Sequence, residues 1–408
     1  MNASIYKSII FFASILVFAG CATYGSHKVN PTPIEHATAE IPENQLMDVG
    51  ILVFESEEIT PEKAEKEGTN ANIRKAESHF IPYHLKNTLQ QSGHWGAIQV
   101  IPAETNSVDL LVKGKIIASN GQTLILEIDV VEATGKRWFK KKYSAEGSEY
   151  VYTSNKVGEI DAYQDLYNTI ANDMAQYKMK LSPSEIKTIR TVSKLKFAQE
   201  FAPHPFDGYL ARDKKGHLSV KRLPADNDPM MDRLLKIRER EYMYVDTLNN
   251  QYERFYNEMW PSYENWRKLN LTERLAIKKI KQEAMTKQLI GALLIAGAIA
   301  AGSRNSGAAR ALAPAMAIIG GQVLIKGWNV SKEAEIHSAA IEELSESFGN
   351  EMQPVVMEFE GRQYELTGTA EEQFKRWREL LRQIYFAETG FAPAPLPEAQ
   401  NMDQNERP

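Results

Sequence analysis

The chain has 408 residues, 48 of them basic and 53 acidic, and a formal net charge of −5 at pH 7. That mild acidity argues against a nucleic-acid binder, which needs a strongly basic face. A single cysteine excludes an internal disulfide framework, and the length accommodates two or more domains with ordinary cores.

Lys7 precedes an apolar run from Ile9 to Phe18, closed by Ala19-Gly20-Cys21. A short apolar core behind one basic residue reads as a secretory signal over residues 1–20 and is too brief to span a bilayer. The closing residues resemble the bacterial lipobox, with Phe18 standing where leucine is usual. The resemblance implies cleavage between Gly20 and Cys21, transfer of diacylglycerol to the Cys21 thiol, and acylation (typically palmitate) of the new amino group. Several acyl chains together anchor a protein stably. An ordinary secretory peptide with an incidental cysteine is the alternative, yet the chain's one cysteine falls where lipidation requires it. Ala22 follows instead of aspartate, which by analogy implies delivery to the outer membrane, facing the periplasm. Losing residues 1–20 removes one charge, Lys7, and leaves the rest slightly more acidic.

Residues 21–47, rich in Thr, Pro, Ala, Asn and Glu, read as a lipidated tether that lifts the folded part off the membrane. A module over 48–181 follows. Val49–Phe54 reads as a buried strand. Asn72–Gln91 is a helix with Ile73, Ala76, Phe80, Tyr83, His84 and Leu89 near one face, ended by Gly93. Ala97–Ile101, Val108–Ile117, Leu124–Val131 and Arg137–Tyr143 read as strands, with turns at Gly121 and Thr134-Gly135. Leu124, Leu126, Ile128 and Val130 alternate with Ile125, Glu127, Asp129 and Val131, so one face is dry. A helix over Glu159–Met179 closes the unit. The order is β-α-β-β-β-β-α, an α+β sandwich.

Three phrases in this stretch carry a resemblance: Val53-Phe54, Gly93-His94-Trp95, and Val108-Asp109-Leu110-Leu111-Val112-Lys113-Gly114 with the later turn Val131-Glu132-Ala133-Thr134-Gly135. Together they resemble a periplasmic α/β module of TolB-like proteins, curli-secretion lipoproteins and auxiliary lipoproteins of envelope transporters. The resemblance covers roughly residues 48–180, and it implies a fold without catalytic residues.

Residues 182–285 read as mainly helical. Ser182-Pro183-Ser184-Glu185 is a helix start, running to about Phe201. Residues 202–228 form an ordered loop with a short hairpin near Gly216. One helix covers Pro229 to about Trp260, and another begins near Thr272. The aromatics Tyr252, Phe255, Tyr256, Tyr263 and Trp266 recur at three- and four-residue steps, which suits a buried face. Exposed, Trp260 and Trp266 would instead stack on sugars of peptidoglycan or another polysaccharide.

Residues 286–328 form a Gly/Ala-rich hydrophobic helical hairpin with a polar tip at Arg304–Arg310. Each half spans only about 20 Å, against a hydrocarbon core of about 30 Å. Ala309, Ala313, Ala317 and Gly321 make a small-residue stripe that would let backbones approach closely. Core packing, an oligomer seam and membrane entry remain open for it. Residues 329–390 read as a helix from Val330 to Phe348, a hairpin, and a last helix capped by Thr369 and Glu372. The hairpin pairs Val355–Phe359 with Gln363–Leu366 around the turn Glu360-Gly361. The last helix carries Phe374, Trp377, Leu381 and Tyr385 on one stripe. The tail 391–408 reads as disordered.

No pattern for nucleophilic catalysis, phosphate cradling or metal ligation emerges, and His79 and His84, five apart, are poorly spaced as ligands. No cofactor is expected. The expectation is a non-enzymatic envelope scaffold or assembly factor in a secretion or transport complex. It would meet membrane lipid through Cys21, envelope proteins, and further copies of itself. A glycan-binding lipoprotein is the alternative, and an envelope hydrolase ranks third.

Overall fold

The computed structural model describes residues 32–56, 59–60, 62, 69, 71–147, 161–300, 336–348, 352–359 and 362–390, with backbone only at 280–281, 283–300, 359 and 362. Strands β1 (Val49–Leu52), β2 (Glu55–Ser56), β3 (Ile98–Ile101), β4 (Leu110–Ser119), β5 (Thr123–Glu132) and β6 (Arg137–Glu146) build one mixed sheet. Its order is β3-β1-β4-β5-β6, with β2 pairing β4. β1 runs parallel to β3 and β4, while β4, β5 and β6 form an antiparallel meander. Parallel neighbours need a crossover, and helix α1 (Ala71–Ser92) supplies it between β1 and β3. The fold class is α+β, as expected.

The alternation in β5 does what its period demands. Leu124, Leu126, Ile128 and Val130 are fully buried, and the intervening residues are half-exposed. Against this dry face lie α1 and helix α2 (Gln164–Met179). Gly114 of β4 is required by close approach: a Cβ there would be driven into the Phe54 ring. Phe54 is held in turn by α1. Pro82 has no N–H, so the Ser78 carbonyl four residues earlier lacks its helical partner. That carbonyl accepts the Phe54 N–H at 2.9 Å instead.

Helix α3 (Pro183–Phe201) begins with the expected cap. The Ser182 hydroxyl accepts the Glu185 N–H, Glu185 reaches back to the Ser182 N–H, and Pro183 occupies the first turn. Strands β7 (Leu210–Arg212) and β8 (Leu218–Val220) form the short hairpin around Gly216. The two helices expected over 229–260 and from 272 are one helix, α4 (Pro229–Ala300). The proline within it, Pro261, removes a single i→i−4 bond, and Tyr263, Trp266, Arg267 and Leu271 beyond it are all buried, so packing carries the helix through. Residues 336–348 form helix α5. Strands β9 (Val355–Phe359) and β10 (Arg362–Leu366) pair antiparallel, and helix α6 (Ala370–Thr389) carries the Thr369–Glu372 capping box.

Two packing relations cross the segment bounds read from the sequence. The helical region and the carboxy-terminal unit share a core with the module. A second core joins Tyr83, Val100 and Ile101 of the module to Phe197 and Phe201 of α3, Tyr244 and Leu248 of α4, and Phe374 and Trp377 of α6. An amphipathic helix that cannot bury its stripe within its own segment must bury it on a neighbour. The expected tether over 21–47 is also shorter than its composition suggested. From Pro33 onward the backbone is bonded to the module: the Ala37 N–H donates to the Ser92 carbonyl at 2.9 Å, and the Glu35 N–H to Asn172 Oδ1 at 2.8 Å. Backbone groups bond whatever side chains they carry, so polar composition alone did not reveal this docking.

Candidate functional site

Several residues singled out from the sequence lie outside the described residues: Gly20 and Cys21, the stripe Ala309, Ala313, Ala317 and Gly321, the turn Glu360-Gly361, and the tail 391–408. Of the two tryptophans considered for sugar stacking, Trp266 is 2% exposed and stacks on Tyr263 with centroids 5.7 Å apart. It has no face left for a sugar. Trp260 is half-buried and stacks on Phe80 and His84. Trp266 is thus packed within the core, and Trp260 packs against it from the partly exposed side. His84 is committed as well, its Nδ1 lying 2.7 Å from the Tyr256 hydroxyl and its Nε2 2.9 Å from Gln164 Oε1. Among the described residues no group of three or more His, Cys, Asp or Glu side chains is placed to hold a metal ion.

The structure brings together a different set. A cleft of ≈ 310 Å³ opens between the loop leading into β4, the end of β5, the carboxy-terminal half of α3, and Arg378 of α6. On one wall Glu200 of α3 accepts Arg378 Nη2 at 2.7 Å and Arg382 Nη2 at 2.9 Å through one oxygen, and Asn106 Nδ2 at 2.9 Å through the other. Arg378 Nε also donates to Glu241 of α4 at 3.0 Å, and Thr105 donates to the other Glu241 oxygen at 2.6 Å. Burial works to raise Glu200, but Arg378, the Asn106 hydrogen bond and Arg382 together outweigh it and hold the carboxyl below its ordinary value. At the mouth Lys113 pairs with Glu104. Lys196 faces the same space, its amine lowered by burial against the opposing pull of Glu200 and Glu104.

Asp109 lies at the floor, 1% exposed. Its Oδ2 accepts the Asp48 N–H at 3.0 Å, and its backbone carbonyl accepts the Ala133 N–H at 2.8 Å, so one residue joins the starts of β1, β4 and the β5–β6 turn. Arg238 and Arg190 stand 3.9 and 3.8 Å away, too far for strong bonds. Burial therefore wins over both arginines and raises the Asp109 carboxyl. Arg238 itself donates to the Ser107 carbonyl at 2.9 Å, and the Tyr242 hydroxyl to the same carbonyl at 2.7 Å.

This cleft presents cations and carboxylates in close alternation on a rigid frame, with apolar Val108, Leu111 and Val131 between them. Such a surface suits recognition of a polar, mixed-charge segment. Of its charged residues only Asp109, Lys113 and Glu132 stood in the phrases Val108–Gly114 and Val131–Gly135. Glu200, Glu241 and Arg378 are remote in sequence and have no local signature.

No family model, curated protein or solved structure matches the chain.

Proposed function

We propose that the protein is an envelope lipoprotein, anchored in the outer membrane through acylated Cys21, that serves as a non-enzymatic scaffold or assembly factor of a secretion or transport complex. One observation carries the reading: the chain's single cysteine stands directly after Ala19-Gly20, at the end of a short apolar run behind Lys7. The module over 48–181 takes the role that its resemblance to TolB-like and curli-secretion lipoproteins implies, docking a periplasmic protein. The charged cleft supports that role, since its cations and carboxylates already neutralise one another. They bind surfaces better than they would drive bond chemistry. The small-residue stripe Ala309, Ala313, Ala317, Gly321 adds self-association to the proposal.

The test is made on membranes. Wild-type protein is expected to carry acyl chains on its amino-terminal Cys21 peptide by mass spectrometry. Cys21→Ala is expected to lose them and to appear in the soluble envelope fraction. Unmodified Cys21 in the mature wild type would sink the anchor. Light scattering of detergent-extracted protein, with the detergent subtracted, reads the assembly. A multimer that dissociates in Ala313→Leu supports the scaffold, and a monomer in both removes self-association from it.

A further inference from the structure

The point where the chain leaves the folded body is well defined. Asn172 of α2 grips the segment at both ends, its Nδ2 donating to the Pro33 carbonyl at 2.9 Å and its Oδ1 accepting the Glu35 N–H at 2.8 Å. Gln176 donates to Glu35 Oε1 at 2.8 Å, and His94 Nε2 lies 3.2 Å from the Glu35 carbonyl. Further on, Arg190 of α3 donates to the Glu43 carbonyl at 2.6 Å. Only residues 22–32 then separate Cys21 from the body. Covalent geometry limits such a stretch to at most about 40 Å.

The face beside this exit differs in charge from the rest of the chain. Around the end of α2 and along α3, Lys178, Lys180, Lys187, Arg190 and Lys194 stand against Glu185 and, across the groove, Glu43, while the whole chain carries more acids than bases. Lys178 is buried on the His94 carbonyl, but Lys180 and Lys187 are exposed, and Met179 between the first two is 61% exposed. Lys187, Arg190, Thr191 and Lys194 line a groove of ≈ 640 Å³ whose other wall is residues 43–45 of the docked segment, including the acid Glu43. Burial lowers the Lys194 amine, Arg238 and Arg190 lower it further, and Asp109 and Asp48 oppose them.

We propose that this basic face rests on the anionic phospholipid head groups of the bilayer that holds the acyl chains. The inference depends on the Cys21 anchor of the preceding section for its choice of partner. A surface tethered within about 40 Å of its binding plane meets it at high effective concentration, so weak phosphate contacts suffice. Lysines and arginines near an anionic leaflet attract it in an additive, salt-sensitive way. Along α3 the cleft residue Glu200 lies about 24 Å from Ser184 and about 9 Å from Lys194 of the groove, so the cleft and the groove share one helix.

The test uses the complete mature chain with Cys21→Ala, which lacks the acyl anchor. Pelleting with vesicles of phosphatidylcholine plus phosphatidylglycerol is compared with phosphatidylcholine alone, at low and high salt. The expected result is binding to the anionic vesicles that high salt abolishes. Lys187→Glu/Lys194→Glu should weaken it about thirtyfold or more, whereas Lys375→Glu/Arg376→Glu, on exposed α6 positions, should leave it unchanged. Lys180→Glu, fully on the surface, should weaken it several-fold and guards against misfolding of the double variant. Equal binding to neutral vesicles, or Lys180→Glu binding like the parent, would overturn the proposal. So would no binding at all, which would leave the groove to an acidic protein. Acylation of wild-type Cys21 is read separately by mass. Absent acylation with intact vesicle binding would refute the anchor and spare the face, and present acylation without binding would do the reverse.

Discussion

Arg267 Nη2 lies 2.7 Å from Asp161 Oδ2, with the side chains 1% and 0% exposed. Arg267 also sits over the rings of Tyr163 and Tyr263, 5.3 and 4.4 Å from their centroids. Nearby, Tyr263 donates to Glu77 at 2.7 Å, and Arg74 pairs with Glu77 at 3.1 Å. A dry polar network of this kind binds α4 to α1 and to the residues leading into α2. Removing one partner of a buried pair leaves a bare charge in a medium that cannot solvate it. Arg267→Met is therefore expected to cost about 3–5 kcal/mol in urea unfolding, and Arg267→Met with Asp161→Asn distinctly less. Equal costs for both would show that the pair is not coupled.

Acid should loosen the same region in two stages. Burial raises the Asp161 carboxyl, but Arg267 and His84 outweigh it and hold it below its ordinary value. Its contribution is present above the unfolded carboxylate range and is lost as pH falls through the lowered folded value. His84 is pushed below 6.5, by burial first. The unfolded chain takes up a proton near that pH that the folded chain refuses, so stability falls as pH drops below about 6.5. The urea midpoint should decline from about pH 7 to about pH 5, and His84→Gln should lessen that decline, to which His79 and His94, also lowered by burial, contribute the rest, while keeping the steeper loss at lower pH. An unchanged profile in His84→Gln would assign the decline to other groups.

Gly114→Ala tests the close approach of β4 to Phe54. The added methyl has no room without shifting that ring, whose backbone N–H is held by the Ser78 carbonyl. Overpacking of this kind costs about 1–3 kcal/mol, seen as a lower melting temperature. Phe54→Leu in the same chain should recover part of the loss, and no recovery would point to backbone strain in the strand.

Arg378→Met should detach the carboxy-terminal helix before it disturbs the sheet. Glu241 is 0% exposed and would lose the Arg378 Nε donor, while Glu200 would keep Arg382 and Asn106. The cost is expected at about 3–5 kcal/mol. Hydrogen exchange should speed up across Ala370–Thr389 and stay slow in β5. Uniform acceleration would mean that the two cores unfold as one.

Features that depend on near neighbours were legible in the order of residues. The dry face of β5 follows from a two-residue alternation, and the starts of α3 and α6 follow from Ser182 with Glu185 and Thr369 with Glu372. The apolar stripe of α6 follows from helical spacing, and its residues Phe374, Trp377, Leu381 and Tyr385 are indeed buried. Asp109 and Gly114 stood out as letters of a phrase, though not for their reasons. Those reasons are a floor carboxylate that joins strand starts and a gap that only glycine leaves for Phe54. Three further features exist only in the folded chain: α4 continues through Pro261, residues 33–47 dock, and Arg378 meets Glu200 and Glu241. Helix continuity past a proline is settled by burial of the following turns, and docking by backbone groups that every sequence carries alike. A distant ion pair forms only where the fold has already brought two helices together. Local patterns carry none of that long-range information, because the energy that selects such contacts comes from water excluded by the assembled core.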